Sequence, residues 1–173
     1  MTEKLSEHFS LDELIASSTA KAKGISNIPT AQHKSNLKYL CVSVLEPLRT
    51  LLNAKYTVYQ GKKVKSVSMK ITSGYRSPAL NKAVGGSSTS SHVQGLAVDF
   101  GVVINFTDGT KASIPYTETY ENIKAWVKGG KLTLDQLIQE RSSNSTWVHI
   151  GVKPDNNRKQ FMKYLNGKYT QDK

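Results

Sequence analysis

The stretch Ser90-Ser-His-Val-Gln-Gly-Leu-Ala-Val-Asp99 constrains this chain more than any other segment. It sets an imidazole, His92, and a carboxylate, Asp99, on either side of a glycine. Gly95 can take the turn conformation that carries the chain out of the His92 loop. Leu96-Ala-Val-Asp-Phe-Gly-Val-Val then reads as a strand, with Leu96 and Val98 on one side and Ala97 and Asp99 on the other. Far downstream, Trp147-Val-His-Ile-Gly151 reads as a second strand. Trp147, His149 and Gly151 share one face, and Val148, Ile150 and Val152 form the opposite, apolar one. Both strands can therefore turn a polar face toward a common cleft, where the small Ala97 leaves room.

His92, Asp99 and His149 make up the donor set of a catalytic zinc site, with three protein ligands and a fourth position for water. A structural zinc is more often closed by four ligands rich in Cys, and this chain has one Cys, Cys41. One Zn²⁺ per chain is expected. A lone histidine is more often a loop or sheet residue. The Ser, His, Gly, Ala and Asp at fixed offsets, with the later Trp-x-His, favour the metal.

The block Ser90-x-His92-x-x-Gly95-x-Ala97-x-Asp99 resembles the zinc motif of the D-alanyl-D-alanine carboxypeptidases and L-alanyl-D-glutamate endopeptidases. These metallopeptidases cut the peptide stems of bacterial peptidoglycan, and hedgehog domains share their core. Thr72-Ser-Gly-Tyr-Arg-Ser-Pro-Ala-Leu-Asn81 and Leu134-Asp-Gln-Leu-Ile-Gln-Glu140 look like flanking blocks of the same family. Phe9-Ser-Leu-Asp-Glu-Leu and Val44-Leu-Glu-Pro-Leu-Arg49 resemble its phage and prophage branch. The likeness runs from about Phe9 to about Arg158. It implies peptidoglycan stem peptides as substrate and an endolysin-type role.

At 173 residues one domain is expected, with N-terminal helices over about 9–52, a zinc-binding core over about 55–158 and a frayed C-terminal tail. No apolar run approaches a membrane span. The N-terminus lacks the apolar core of a signal peptide. The expectation is a protein made in the cytoplasm that reaches the wall after release, as phage lysins do, or as part of a virion. With 24 Lys and Arg against 13 Asp and Glu, the net charge is +11, which draws the protein toward polyanions. The lysines are dispersed and no nucleic-acid motif is present, so wall attraction is preferred over nucleic-acid binding. A monomer is expected. Cys41 lies in an apolar helical stripe and reads as a core residue.

Along the chain, Ser10 and Glu13 suggest a capping box for a helix from Leu11 to about Ser18, followed by a polar connector over Thr19–Pro29. Thr30 then caps a long helix to about Leu52, which Pro47 should kink or split. Strands are expected at Lys55–Gln60 and Val64–Thr72, and a short helix at Pro78–Val84. Gly85 to Ser91 reads as an active-site loop. A hairpin should turn at Asp108-Gly109 and could wall the cleft. A helix capped by Thr117 follows, then strands at Leu134–Glu140 and Thr146–Val152, and a last helix over Asn156–Leu165. The fold class is α+β: a small, mostly antiparallel sheet with helices packed on it, hedgehog/DD-peptidase-like.

Peptide hydrolysis at zinc needs a base for the water and an acid for the leaving amine. Glu140 is the candidate. It ends the strand that should pair with the His149 strand, and it matches the family's glutamate. Glu118, Glu121 and Asp135 are rivals that match no motif. Arg76 resembles the family's cleft arginine and could hold a substrate carbonyl or stabilise an oxyanion. Ser90 could contact the substrate or the ligand loop. Trp147 stands where several relatives carry a second histidine, so it could instead wall the cleft. His8 and His33 read as surface residues. The main alternative is a protein of this fold that keeps zinc but does not catalyse. A basic nucleic-acid binder rests on charge alone.

Overall fold

Ser10 caps the first helix, α1 (Leu11–Ile15), by accepting from the Glu13 amide at 3.3 Å. The helix stops earlier than expected. Ser17 then caps a second one, α2 (Ser18–Lys23), which Gly24 ends in the left-handed conformation. The connector expected over Thr19–Pro29 is thus helical at its start. These features belong to a computed structural model that describes residues 3–172. Met1, Thr2 and Lys173 lie outside the described residues, and with them the extremes of the N-terminal segment and of the tail read above.

Thr30 opens α3 (Ala31–Leu40) with a capping box closed by the His33 side chain. The helical run widens into a π turn, Cys41–Leu45, before α4 (Glu46–Lys55). Pro47 supplies the physical reason. It has no N–H, and its ring would press on the carbonyl four residues back. A wider turn just before it relieves that clash, and the Glu46 amide bonds Cys41 O instead. The expected kink or split is therefore a π turn within one helical run. Lys55 still belongs to α4, so β1 (Val58–Tyr59) is shorter than expected.

The remaining elements are β2 (Lys62–Ser73), α5 (Pro78–Ala83), a 3₁₀ turn at Ser91–Gln94, β3 (Ala97–Phe106), β4 (Lys111–Ile114), α6 (Tyr116–Lys128), β5 (Gln136–Arg141), β6 (Thr146–Gly151), β7 (Gln160–Leu165) and β8 (Lys168–Gln171). Pro115, rather than Thr117, occupies the cap of α6. The last helix expected over Asn156–Leu165 is replaced by β7, and the tail forms β8. Asn166 and Gly167 both have positive φ, 50° and 83°, and this tight turn closes the hairpin.

The strand order is β1-β2-β3-β6-β5-β7-β8, with β4 on the edge of β3 beside β6. The pairs are antiparallel except β5 with β7. The fold is α+β. Alternation along the strands divides the sheet. Val67, Met69, Val98, Phe100, Val102, Val148 and Ile150 join Leu37, Leu40, Leu48, Leu52, Tyr120 and Ile123 in one continuous core. Cys41 is buried in that core. The helices thus cover one face of the sheet, and the opposite face carries Asp99. Among the described residues no helix is long and apolar enough to cross a membrane.

Candidate metal centre

Asp99 on β3 pairs directly with His149 on β6, so both side chains emerge on the face opposite the core. His92 reaches them from the 3₁₀ turn. Ser90 Oγ accepts from the His92 amide at 3.3 Å and caps that turn, and Gly95 closes it with φ of 69°. A Cβ at Gly95 would lie 2.9 Å from His33 O, so glycine is needed for space as well as conformation. Ser90 therefore supports the ligand loop.

The three side chains are buried and their donor atoms converge. His149 Nδ1 lies 2.8 Å from Asp99 Oδ1. His92 Nε2 lies 3.2 Å from Asp99 Oδ2 and 3.3 Å from His149 Nδ1. His92 Nδ1 is 2.6 Å from Gly74 O. A carbonyl can only accept, so Nδ1 carries the proton and Nε2 offers a lone pair. Burial drives His92 toward its neutral form, against the pull of Asp99. Burial alone would raise Asp99, but its close contacts with His92 and His149 hold its carboxyl well below the usual range. A neutral imidazole nitrogen thus faces a carboxylate oxygen, two acceptors in contact. A cation between them would satisfy both, so the donor set fits a zinc ion bound by two imidazoles and one carboxylate.

Arg76 sits closer to the ligands than an open-cleft arginine would. Its Nη2 donates to Asp99 Oδ2 at 2.6 Å and its Nε to Ser73 Oγ at 2.8 Å. Its amide donates to His92 O at 3.1 Å. It holds Asp99 Oδ2 and anchors the His92 turn.

Glu140 pairs with Trp147, and Ile138, two residues earlier, pairs with His149. Glu140 and Trp147 therefore share the metal face, one step along the strands. Burial pushes the Glu140 carboxyl up to about 7; His149 pulls it down, Asp99 pushes it up and Arg76 pulls it down. Across β7 and β8 the same row continues through Tyr164 and Tyr169, whose rings are 4.6 Å apart. The Tyr169 phenol is raised by its own burial and by Glu140.

The rivals lie elsewhere. Asp135 is gripped by Arg158 through bonds of 2.7 and 2.6 Å. Glu118 accepts from Tyr56 on the helical side at 2.7 Å. Glu121 is exposed on α6, 4.0 Å from Lys163 Nζ. His8 is exposed and bonds Glu46, and half-buried His33 stacks on Tyr75. Sequence reasoning missed Gly74 and Ser73. Both lie in the Thr72–Asn81 block it singled out, but one acts through its backbone and the other through Arg76. It also missed Tyr164 and Tyr169, because their segment reads as helix and tail.

His92, Asp99 and His149 form a convergent donor set that could hold a metal ion, with Glu140 on the same sheet face. The chain belongs to the peptidase M15 family, a family of zinc peptidases, whose model matches residues 7–115. That span holds Arg76, His92 and Asp99, and ends before Glu140, Trp147 and His149. A comparison with curated proteins returned no match.

Proposed function

We propose that the protein is a zinc-dependent peptidase that cuts the stem peptides of bacterial peptidoglycan, as a lysin-type enzyme. The observation that carries this reading is the placement of Glu140 on the face shared by Asp99 and His149, with its carboxyl pushed up to about 7. His92, Asp99 and His149 would hold the ion. When bound, zinc supplies a Lewis acid and a water of pKa about 7. Glu140 takes the proton of the attacking water and returns it to the leaving amine. A carboxyl poised near neutral pH suits both transfers. Arg76 orients Asp99 through its 2.6 Å hydrogen bond. To reach the substrate oxygen, as the family resemblance implies, its guanidinium would have to share Asp99 with the ion. Trp147 walls the cleft beside Glu140. The net charge of +11 favours approach to an anionic wall. Retention of both Glu140 and Arg76 favours catalysis over a zinc-bearing protein that only binds.

The test is mass spectrometry of wall fragments incubated with zinc-loaded protein. Loss of a terminal D-Ala and a cut between L-Ala and D-Glu give different products. No product of either kind would leave the binding-protein alternative.

A further inference from the structure

The edge of β3 changes partner midway. It pairs with β6 up to Phe100 opposite Val148, and with β4 from Val102 opposite Ile114. Gly101 falls in the gap between these two ladders. A cavity of about 210 Å³ opens there, lined by Lys70, Gly101, Ser113, Tyr116, Thr119 and Trp147 among others. Pockets for whole small molecules measure roughly 300–1,000 Å³, so this one suits a single residue of a larger substrate.

Three features mark the cavity as a built site. Gly101 and Trp147 are one alternation step from Asp99 and His149, so that side of the lining adjoins the metal centre, while Phe100, Val102 and Ile114 line the cavity from the core face. A Cβ built on Gly101 meets nothing within 4 Å, so this glycine leaves space that a side chain would fill. Lys70, opposite Gly101 on β2, is exposed and brings a positive charge to the lining.

We propose that this cavity is a specificity subsite for a carboxylate-bearing residue of the substrate, with Lys70 pairing the carboxylate and Gly101 keeping the space open. The inference rests on the peptidase reading. It adds what the cleft selects beside the bond that is cut. The carboxylate could be the free C-terminus of the substrate, as in a carboxypeptidase, or an acidic residue inside the chain, as in an endopeptidase.

The experiment uses two pairs of synthetic stem peptides. One pair ends in a free acid or an amide. The other has a blocked end and carries Glu or Gln internally. Dissociation constants are measured by calorimetry on the zinc-loaded Glu140→Gln protein, and turnover on the wild type. Tighter binding of the acid in the first pair alone supports the subsite and places the terminal carboxylate in it. The same result in the second pair alone supports it with an internal one. Equal binding of acid and amide in both pairs overturns the proposal. Lys70→Gln should remove an acid preference of about three- to fivefold, the range of an exposed ion pair. A preference that survives Lys70→Gln overturns it. Gly101→Ala and then Gly101→Val should weaken binding progressively, about tenfold by Val, with zinc content and melting temperature held. Unchanged binding in a folded Gly101→Val protein also overturns it. If the wild type cuts none of the peptides, the peptidase reading falls, while the dissociation constants still decide the subsite.

Discussion

Glu140 shows how far one carboxyl's surroundings can be turned into expectation. Gln keeps its shape but accepts no proton. Glu140→Gln should therefore lower turnover by roughly 10²–10⁴ while zinc stays bound, as a stopped assay with metal analysis would register. Near wild-type rates would move the role elsewhere. The pH dependence has a definite sign. Glu140 is raised from 4.5 to about 7 by burial, so its charged form is disfavoured in the folded protein. In metal-free protein this lowers stability progressively from about pH 4.5 to about 7, and leaves a constant penalty above. Denaturant titrations of wild type and Glu140→Gln across that window should converge at low pH and separate at high pH. With the ion bound, its positive charge lowers the carboxyl, so the acidic limb of activity, where Glu140 becomes protonated, should lie at or below about pH 7. Arg76→Lys keeps a charge but loses the forked donor that spans Asp99 and Ser73. Partners of ligands matter to the metal, and chelator competition should show zinc affinity lower by about 10–100-fold. The convergence of His92, Asp99 and His149 was readable from sequence because donor type and strand alternation are local facts. Arg76's attachment to Asp99 was not, because it depends on how a corner of chain folds back onto β3.

At the scale of elements, legibility followed how local each cause is. The cap at Ser10, the proline start of α5 and the turn at Asp108-Gly109 were all readable from neighbouring residues. The helix α2 had its signals too, Ser17 before it and Gly24 after it. Its polar composition hid them, since it buries little beyond Ala20. The hairpin β7–β8 had an Asn-Gly turn in plain view. It was misread because β7 exists by pairing in parallel with β5, a long-range partner no local pattern announces. One element contact carries a prediction. The Gly74 carbonyl that orients His92 sits against α1: a Cβ on Gly74 would run into the Leu14 carbonyl, and the Tyr75 amide donates to that same oxygen at 2.8 Å. Gly74→Ala should displace this corner. Zinc content should fall although no ligand is changed, and a Gly74→Ala protein with full zinc and an unaltered melting temperature would contradict the coupling.

For the whole molecule, the charge of +11 acts at a distance that no single lysine controls. Screening shortens its reach to about 8 Å at physiological ionic strength. Binding to purified sacculi should weaken steadily along a salt series. Indifference to salt would remove long-range attraction as the means of approach. The fold class was legible as a whole because helical and alternating segments are distinct in sequence. The strand order was not, since it follows from which edges meet in space. That order has a consequence for how the chain comes to be folded. β6 lies between β3 and β5 although it is made some fifty residues after β3. Until residue 151 is available, Ala97 to Phe100 present an apolar strand edge with no partner, and such edges recruit strands of other molecules. Pairings so distant in sequence also form slowly. Refolding from denaturant should therefore lose protein to aggregation as concentration rises, with Ala97–Phe100 among the last amides to gain protection in pulsed hydrogen exchange. The ladder that aligns Asp99 with His149 closes in that same late event, so the metal centre should come into being only as the chain escapes its most vulnerable state.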